Sequence, residues 1–169
     1  ASRSGLISVL ATPGTVARDY TRALIDTYAS HRKVKLVGAK RLAGLAEAHM
    51  RGEPVKDSEI IAEIAPCFVI DHGKRTDHVV LACTHYPLLL ETFRRVAPWP
   101  VTWVDPSEAI ARRVVAVLGE QAKTLVGENA PGAAVFTSGA APSPTLEKAL
   151  RQFDLVAVAC EPMPLESGG

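Results

Sequence analysis

The sequence predicts an α/β fold, a three-layer αβα sandwich on a mainly parallel sheet. Two observations carry that reading. Apolar runs of strand length alternate with longer segments of helical period, and helix starts are punctuated directly after strand ends. Such alternation covers both faces of the sheet with helices and puts ligands at the carboxyl ends of its strands. At 169 residues, 47% hydrophobic and 22% charged, the chain has enough apolar surface to bury a core.

Taken in order, Leu6–Ala11 reads as a strand and Val16–Tyr28 as a helix. Val34–Gly38 is followed by a helix over Lys40–Arg51, and Val79–Ala82 by one over Pro87–Val96. Val101–Val104 leads into Pro106–Leu118, where Asp105-Pro106-Ser107-Glu108 supplies a capping acid, a proline for the first helical position and a glutamate three residues past the cap. Between the second and third strands, Glu53–Cys67 reads as a loop and then a helix begun by Asp57-Ser58-Glu59. Gly119–Pro131 is looser and reads as a linker. A strand over Ala134–Ser138 and a helix over Pro142–Phe153 follow it, and the tail from Glu161 onward is expected to be mobile.

Composition narrows the function classes. A formal net charge of +1, with basic and acidic residues interleaved, gives no electrostatic case for nucleic acid. Three cysteines, Cys67, Cys83 and Cys160, form no C-x-x-C pair and suit a reducing cytoplasm rather than a disulfide framework. No apolar run approaches a membrane span. The opening Ala1-Ser2-Arg3-Ser4-Gly5 has neither an initiator methionine nor a signal-peptide core, and it reads as the interior of a longer chain.

The chemistry concentrates in Leu81-Ala82-Cys83-Thr84-His85-Tyr86-Pro87-Leu88-Leu89. Cys83 falls where a strand ends and a helix is about to begin, a position whose unpaired backbone N–H groups favour an anion. If the chain stays extended past Leu81, Cys83 and His85 project to the same side, and the imidazole reaches the sulfur. A free thiol titrates near a pKa of about 8.5, so such neighbours bring a useful fraction into thiolate form at neutral pH. The bland alternative makes Cys83 a small buried hydrophobe and His85 a capping residue.

These residues resemble the second-half signature of the glutamate racemase family, within the aspartate/glutamate racemase superfamily. Val9–Leu24 ("VLATPGTVARDYTRAL"), Leu36–Met50 ("LVGAKRLAGLAEAHM"), Trp103–Val114 ("WVDPSEAIARRV") and Val135–Gly139 ("VFTSG") are similar to that family's segments in the same order. The resemblance implies an aspartate/glutamate racemase-like fold and a PLP-independent isomerase without cofactor or metal. Two cysteine thiolates would interconvert L- and D-glutamate in the cytoplasm, supplying D-glutamate for bacterial peptidoglycan. It implies Cys83 as the catalytic cysteine acting on L-glutamate, His85 as its aid in proton traffic, and Glu47 as a further active-site residue. Thr84 would hold the substrate carboxylate or ammonium, and Thr15 would line the same pocket. Two of these have plainer alternatives: Thr15 as a helix N-cap, and Glu47 in an exposed i,i+4 pair with Arg51.

The chain departs from the family pattern in one respect that matters. A two-base racemase needs thiols on opposite faces of the carbanion, and neither Cys67 nor Cys160 sits in a second cysteine motif. The resemblance therefore implies a second lobe over residues 6–118, a linker over 119–131, and a C-terminal segment over 132–169 that would return to an absent first lobe. Without that lobe the segment is expected to be disordered, to rearrange, or to pair with a second copy as a homodimer. The competing readings are a racemase of the same superfamily acting on aspartate or another amino acid, a non-catalytic binding lobe, a Cys-His thiol hydrolase, and a zinc site from His72, His78, Cys83 and His85.

Overall fold

The computed structural model describes residues 2–120 and 131–161. Most of the expected linker, and the tail beyond Glu161, lie outside the described residues. The chain divides into two compact units, one of residues 1–49 and 54–113, the other of residues 50–53 and 114–169.

The first unit is built on four strands: β1 (Leu6–Ala11), β2 (Lys33–Gly38), β5 (His78–Ala82) and β6 (Thr102–Val104), in the order β2-β1-β5-β6 and all parallel. Parallel strands require long crossovers, and helices supply them: α1 (Pro13–Val16), α2 (Asp19–Ala29), α3 (Leu42–Met50), α4 (Asp57–Ile64) and α5 (Leu90–Val96), with α6 (Ser107–Leu118) after β6. This is the α/β architecture expected, and β1 lies in its interior with a partner on each side. Along β1, Leu6, Ser8 and Leu10 are buried, and the Ser8 hydroxyl donates to the Cys67 carbonyl at 2.6 Å, so a buried polar group is satisfied. The core joins Leu10, Val37 and Leu81 of the sheet to Leu42, Ile60, Ile64, Leu89 and Phe93 of the helices, with Tyr86 and Cys67 among them.

Several boundaries differ from the sequence reading, each for a local reason. The expected helix over Val16–Tyr28 is two helices, because Pro13 opens a separate turn capped by Thr12, whose Oγ1 accepts from Thr15 N. Thr15 is therefore not an N-cap; it is the third residue of α1. The helix expected from Pro87 begins as a 3₁₀ turn over Tyr86–Leu89, and the α-helix starts only at Leu90. A two-residue hairpin, β3 (Ile70–Asp71) and β4 (Lys74–Arg75), turns through His72 and Gly73 at positive φ; strands this short leave no periodic signal.

His78 opens β5, where its Nδ1 lies 2.9 Å from Asp77 Oδ1. Burial pushes the Asp77 carboxyl upward, but hydrogen bonds from Ser4 N, His78, the Ser2 hydroxyl and Arg3 N outweigh it and hold the group well below the usual carboxylate range. Cys83 and His85 lie past the other end of the same strand, so the four residues of the competing zinc reading do not converge, and among the described residues no three metal-binding side chains form a group. Nor is any described helix long and apolar enough to cross a membrane.

In the second unit, β7 (Gly132–Phe136) pairs in parallel with β8 (Leu155–Cys160), and α7 (Pro144–Arg151) connects them. Ser143 caps α7 by accepting from Leu146 N at 3.2 Å, with Pro144 next. The sequence reading placed no strand over Leu155–Cys160, where β8 lies. Gly52, at φ +75°, places its Cα so that an added Cβ would stand 2.5 Å from Thr145 Cγ2. Gly52→Ala should cost about 1–2 kcal/mol through the left-handed backbone, beyond what turning the threonine relieves; urea unfolding measures it, and an unchanged midpoint would mean the turn relaxes freely.

Candidate active site at the carboxyl end of the sheet

β1 and β5 run side by side with Ala11 opposite Ala82. The next residue of each chain, Thr12 and Cys83, therefore leaves the sheet at adjacent strand ends, where a parallel sheet collects its ligands. Cys83 is half-buried. Its Sγ lies 3.8 Å from His85 Nδ1, and His85 Nε2 lies 3.2 Å from Glu47 Oε1 on α3. Thiol, imidazole and carboxylate thus stand in line.

The route to this contact differs from the one the sequence suggested. β5 ends at Ala82, and His85 adopts helical angles (φ −77°, ψ −29°) at the head of the 3₁₀ turn, with Tyr86 N bonded to the Cys83 carbonyl at 3.2 Å. A turn, not an extended strand, folds the imidazole back onto the sulfur. Because the α-helix begins seven residues after Cys83, its dipole contributes little at the sulfur, whereas the imidazole lies in contact with it.

The carboxylate sets the proton positions. A carboxylate only accepts, so Nε2 carries the hydrogen toward Glu47 and the neutral ring presents Nδ1 as an acceptor to the Cys83 thiol. Taking that proton converts the pair to thiolate and imidazolium, with Glu47 stabilising the cation. The Glu47 and His85 side chains are 54% and 38% exposed, so the ion pair itself adds little to stability. Arg51 donates to Glu53 at 2.6 Å.

Thr15 is half-buried, and its hydroxyl lies 3.0 Å from that of Thr12. Thr84 is exposed on the turn. Thr12 escaped the sequence reading; the usable signal was its position directly after a strand and before a proline. Cys83 also lines a cavity of about 250 Å³ whose wall includes Thr84, Asp105 and Ser107. Asp105 Oδ1 accepts from Ser107 N at 2.9 Å and from its hydroxyl at 2.6 Å, which fixes the entry to α6.

The other two cysteines have different surroundings. Cys67 is fully buried, and burial pushes its thiol up to about 12. Cys160 is exposed at the end of β8. Tyr86 is fully buried, and its hydroxyl has no hydrogen-bond partner among the described residues. Burial first, then the proximity of Cys83, Glu63 and Cys67, raises the Tyr86 phenol above its ordinary range.

No family model matches the chain. Individual proteins do. Over 140 residues it is 59% identical to a glutamate racemase of Sinorhizobium medicae, covering 82% of this chain and 51% of that protein. It is 57% identical to the glutamate racemase of Agrobacterium fabrum, covering 82% and 50%. Among solved structures, Escherichia coli glutamate racemase, in complex with L-glutamate and the activator UDP-MurNAc-Ala, superposes at a TM-score of 0.78 and 27% identity, over 95% of this chain and 59% of that one. A glutamate racemase isoform from Bacillus anthracis shares the fold at a TM-score of 0.70 and 22% identity, over 98% of this chain and 60% of that one. By this identity and this fold the chain is homologous to glutamate racemases, and it spans about half the length of the curated relatives it matches.

Proposed function

We propose that the chain is the part of a glutamate racemase that carries one of its two proton-transferring thiols, and that Cys83 is that thiol. The observation that carries the reading is the Cys83–His85–Glu47 line at the carboxyl end of the parallel sheet. In the reaction, the Cys83 thiolate takes the α-hydrogen of L-glutamate: the C–H bond breaks, an S–H bond forms, and the electron pair stays on the α-carbon, spread into the adjoining carboxylate. A proton delivered to the opposite face completes D-glutamate, destined for peptidoglycan. His85 holds the proton that Cys83 gives up beforehand, and Glu47 fixes its tautomer. Thr84, with Thr15 and Thr12 on the neighbouring strand end, supplies hydroxyls to the polar groups of the amino acid. No cofactor takes part in these steps.

The opposite face needs a second thiol, and the partner implied is the portion of the relatives that this chain does not span. Residues 6–118 then form one lobe, and residues from 132 onward return toward the other. Val135 and Phe153, half-exposed at 51% and 53%, fit apolar surface awaiting cover.

Alkylation by iodoacetamide near neutral pH tests the thiolate. Cys83 should react first, Cys160 at the rate of an ordinary exposed thiol, and Cys67 only on unfolding, since burial holds it neutral. His85→Gln should slow Cys83 about tenfold or more by removing the proton acceptor. Equal rates for Cys83 in the two proteins would remove the imidazole from the mechanism.

A further inference from the structure

Glu47 reaches His85 from α3, and the contact is 3.2 Å long, near the outer limit of a hydrogen bond. Displacing α3 along its axis by half of its ~1.5 Å rise per residue can break it. Burial of Leu42, Leu45 and Ala46 holds the helix against the core, but apolar packing is non-directional, so polar bonds must set its axial position. The sequence of α3 supplies few at its start. Arg41 is the N-cap, since its carbonyl accepts from Leu45 N at 3.0 Å. An arginine side chain cannot accept, no acid lies in the first turn, and the third helical position, where a glutamate would reach back to the N-cap amide, is Gly44.

The neighbouring helix α4 provides the missing carboxylates. Glu63 Oε2 accepts from Arg41 N at 3.2 Å, and one turn earlier on the same face Glu59 Oε1 accepts from the Arg41 guanidinium at 2.5 Å. Glu63 is half-buried and close enough to Tyr86 to oppose ionisation of its phenol, so one carboxylate is near both the start of α3 and the residue that follows His85. We propose that Glu63 is a positioning residue: by capping α3 from α4 it sets where Glu47 meets His85, and through them it acts on Cys83. The inference rests on the Cys83–His85–Glu47 reading above.

Iodoacetamide rates at Cys83 in the 169-residue chain, divided by the rate at the exposed Cys160 of the other unit, test it near neutral pH. Charge and position predict opposite signs. A carboxylate disfavours a nearby thiolate, so a Glu63 that acted by charge alone would, on any neutral replacement, let Cys83 react faster. Acting by position, Glu63→Ala should slow Cys83 about threefold. Glu63→Asp, which keeps the charge and loses the reach, should slow it similarly, whereas Glu63→Gln keeps both the reach and an acceptor oxygen and should hold the original rate. In a Glu47→Ala chain, itself slower about threefold or more, Glu63→Ala should add nothing, because its route to Cys83 is gone. Urea midpoints verify that each variant is folded in the assay. A Cys83 no slower in Glu63→Ala, a Glu63→Gln chain as slow as Glu63→Ala, or an undiminished Glu63→Ala effect in the Glu47→Ala chain overturns the proposal while leaving the reading of Glu47 in place. If Glu47→Ala leaves Cys83 unchanged, that reading falls and this inference with it.

Discussion

Supplied with either enantiomer of glutamate, the 169-residue chain should leave its optical rotation unchanged. One thiol can remove an α-hydrogen and return one to the same face, but inversion needs a donor on the other face, and the remaining cysteines are unsuited. Cys67 is buried with its thiol pushed up to about 12, and Cys160 ends a strand of the other unit. A positioned acid or base contributes about 10²–10⁴-fold to such a step, so its absence alone takes turnover toward background. Circular dichroism of the substrate follows the reaction. Adding the first half of a relative such as the Sinorhizobium medicae enzyme should restore turnover, and Cys83→Ser in that assembly should remove it again by a similar factor. Racemisation by the chain alone would place both bases within these residues and overturn the reading.

The second large effect is on stability and centres on Tyr86. Its ring fills the core where the 3₁₀ turn leaves β5, so Tyr86→Ala should cost about 3–5 kcal/mol in lost burial and cavity formation. Tyr86→Phe should do the opposite, gaining about 1 kcal/mol, because it deletes a buried hydroxyl that has no partner among the described residues. Urea unfolding gives both values. The phenylalanine variant should also keep the alkylation rate of Cys83, since the ring and the Tyr86 N–H to the Cys83 carbonyl remain in place. A phenylalanine variant less stable by 1 kcal/mol or more would reveal a hydrogen bond at that hydroxyl.

The four-stranded sheet was legible because strands buried in a parallel sheet read as near-continuous apolar runs, interrupted only by Ser8 in Leu6–Ala11 and unbroken in Val79–Ala82. The segment around Thr12-Pro13-Gly14-Thr15 was misread because apolar periodicity spans α1 and α2 and hides the break between them. The hairpin at His72 and Gly73 was invisible because two residues per strand cannot show an alternation. Cys83 and His85 were legible as a pair through their spacing, although the geometry that joins them is a turn. The approach of Glu47 to His85 joins α3 to a loop far along the chain, and nothing local in either segment specifies it. Family resemblance, not residue spacing, had pointed to Glu47.

Ile7 pairs with Val34 on one side and with His78 on the other. The first pairing closes over the short segment that carries α1 and α2, while the second must wait for the much longer one that also carries α3, α4 and the hairpin. Closing the longer loop is the slower event. The chain can therefore assemble β1 against β2 early and leave one side of β1 bare, with hydrogen-bonding groups exposed to another molecule in the same condition. Insertion of β5 ends that exposure, and the same event brings Cys83 beside Thr12. The appearance of a fast-reacting Cys83 during refolding would then mark the moment the sheet closes, and crowded chains should aggregate before that moment and not after it.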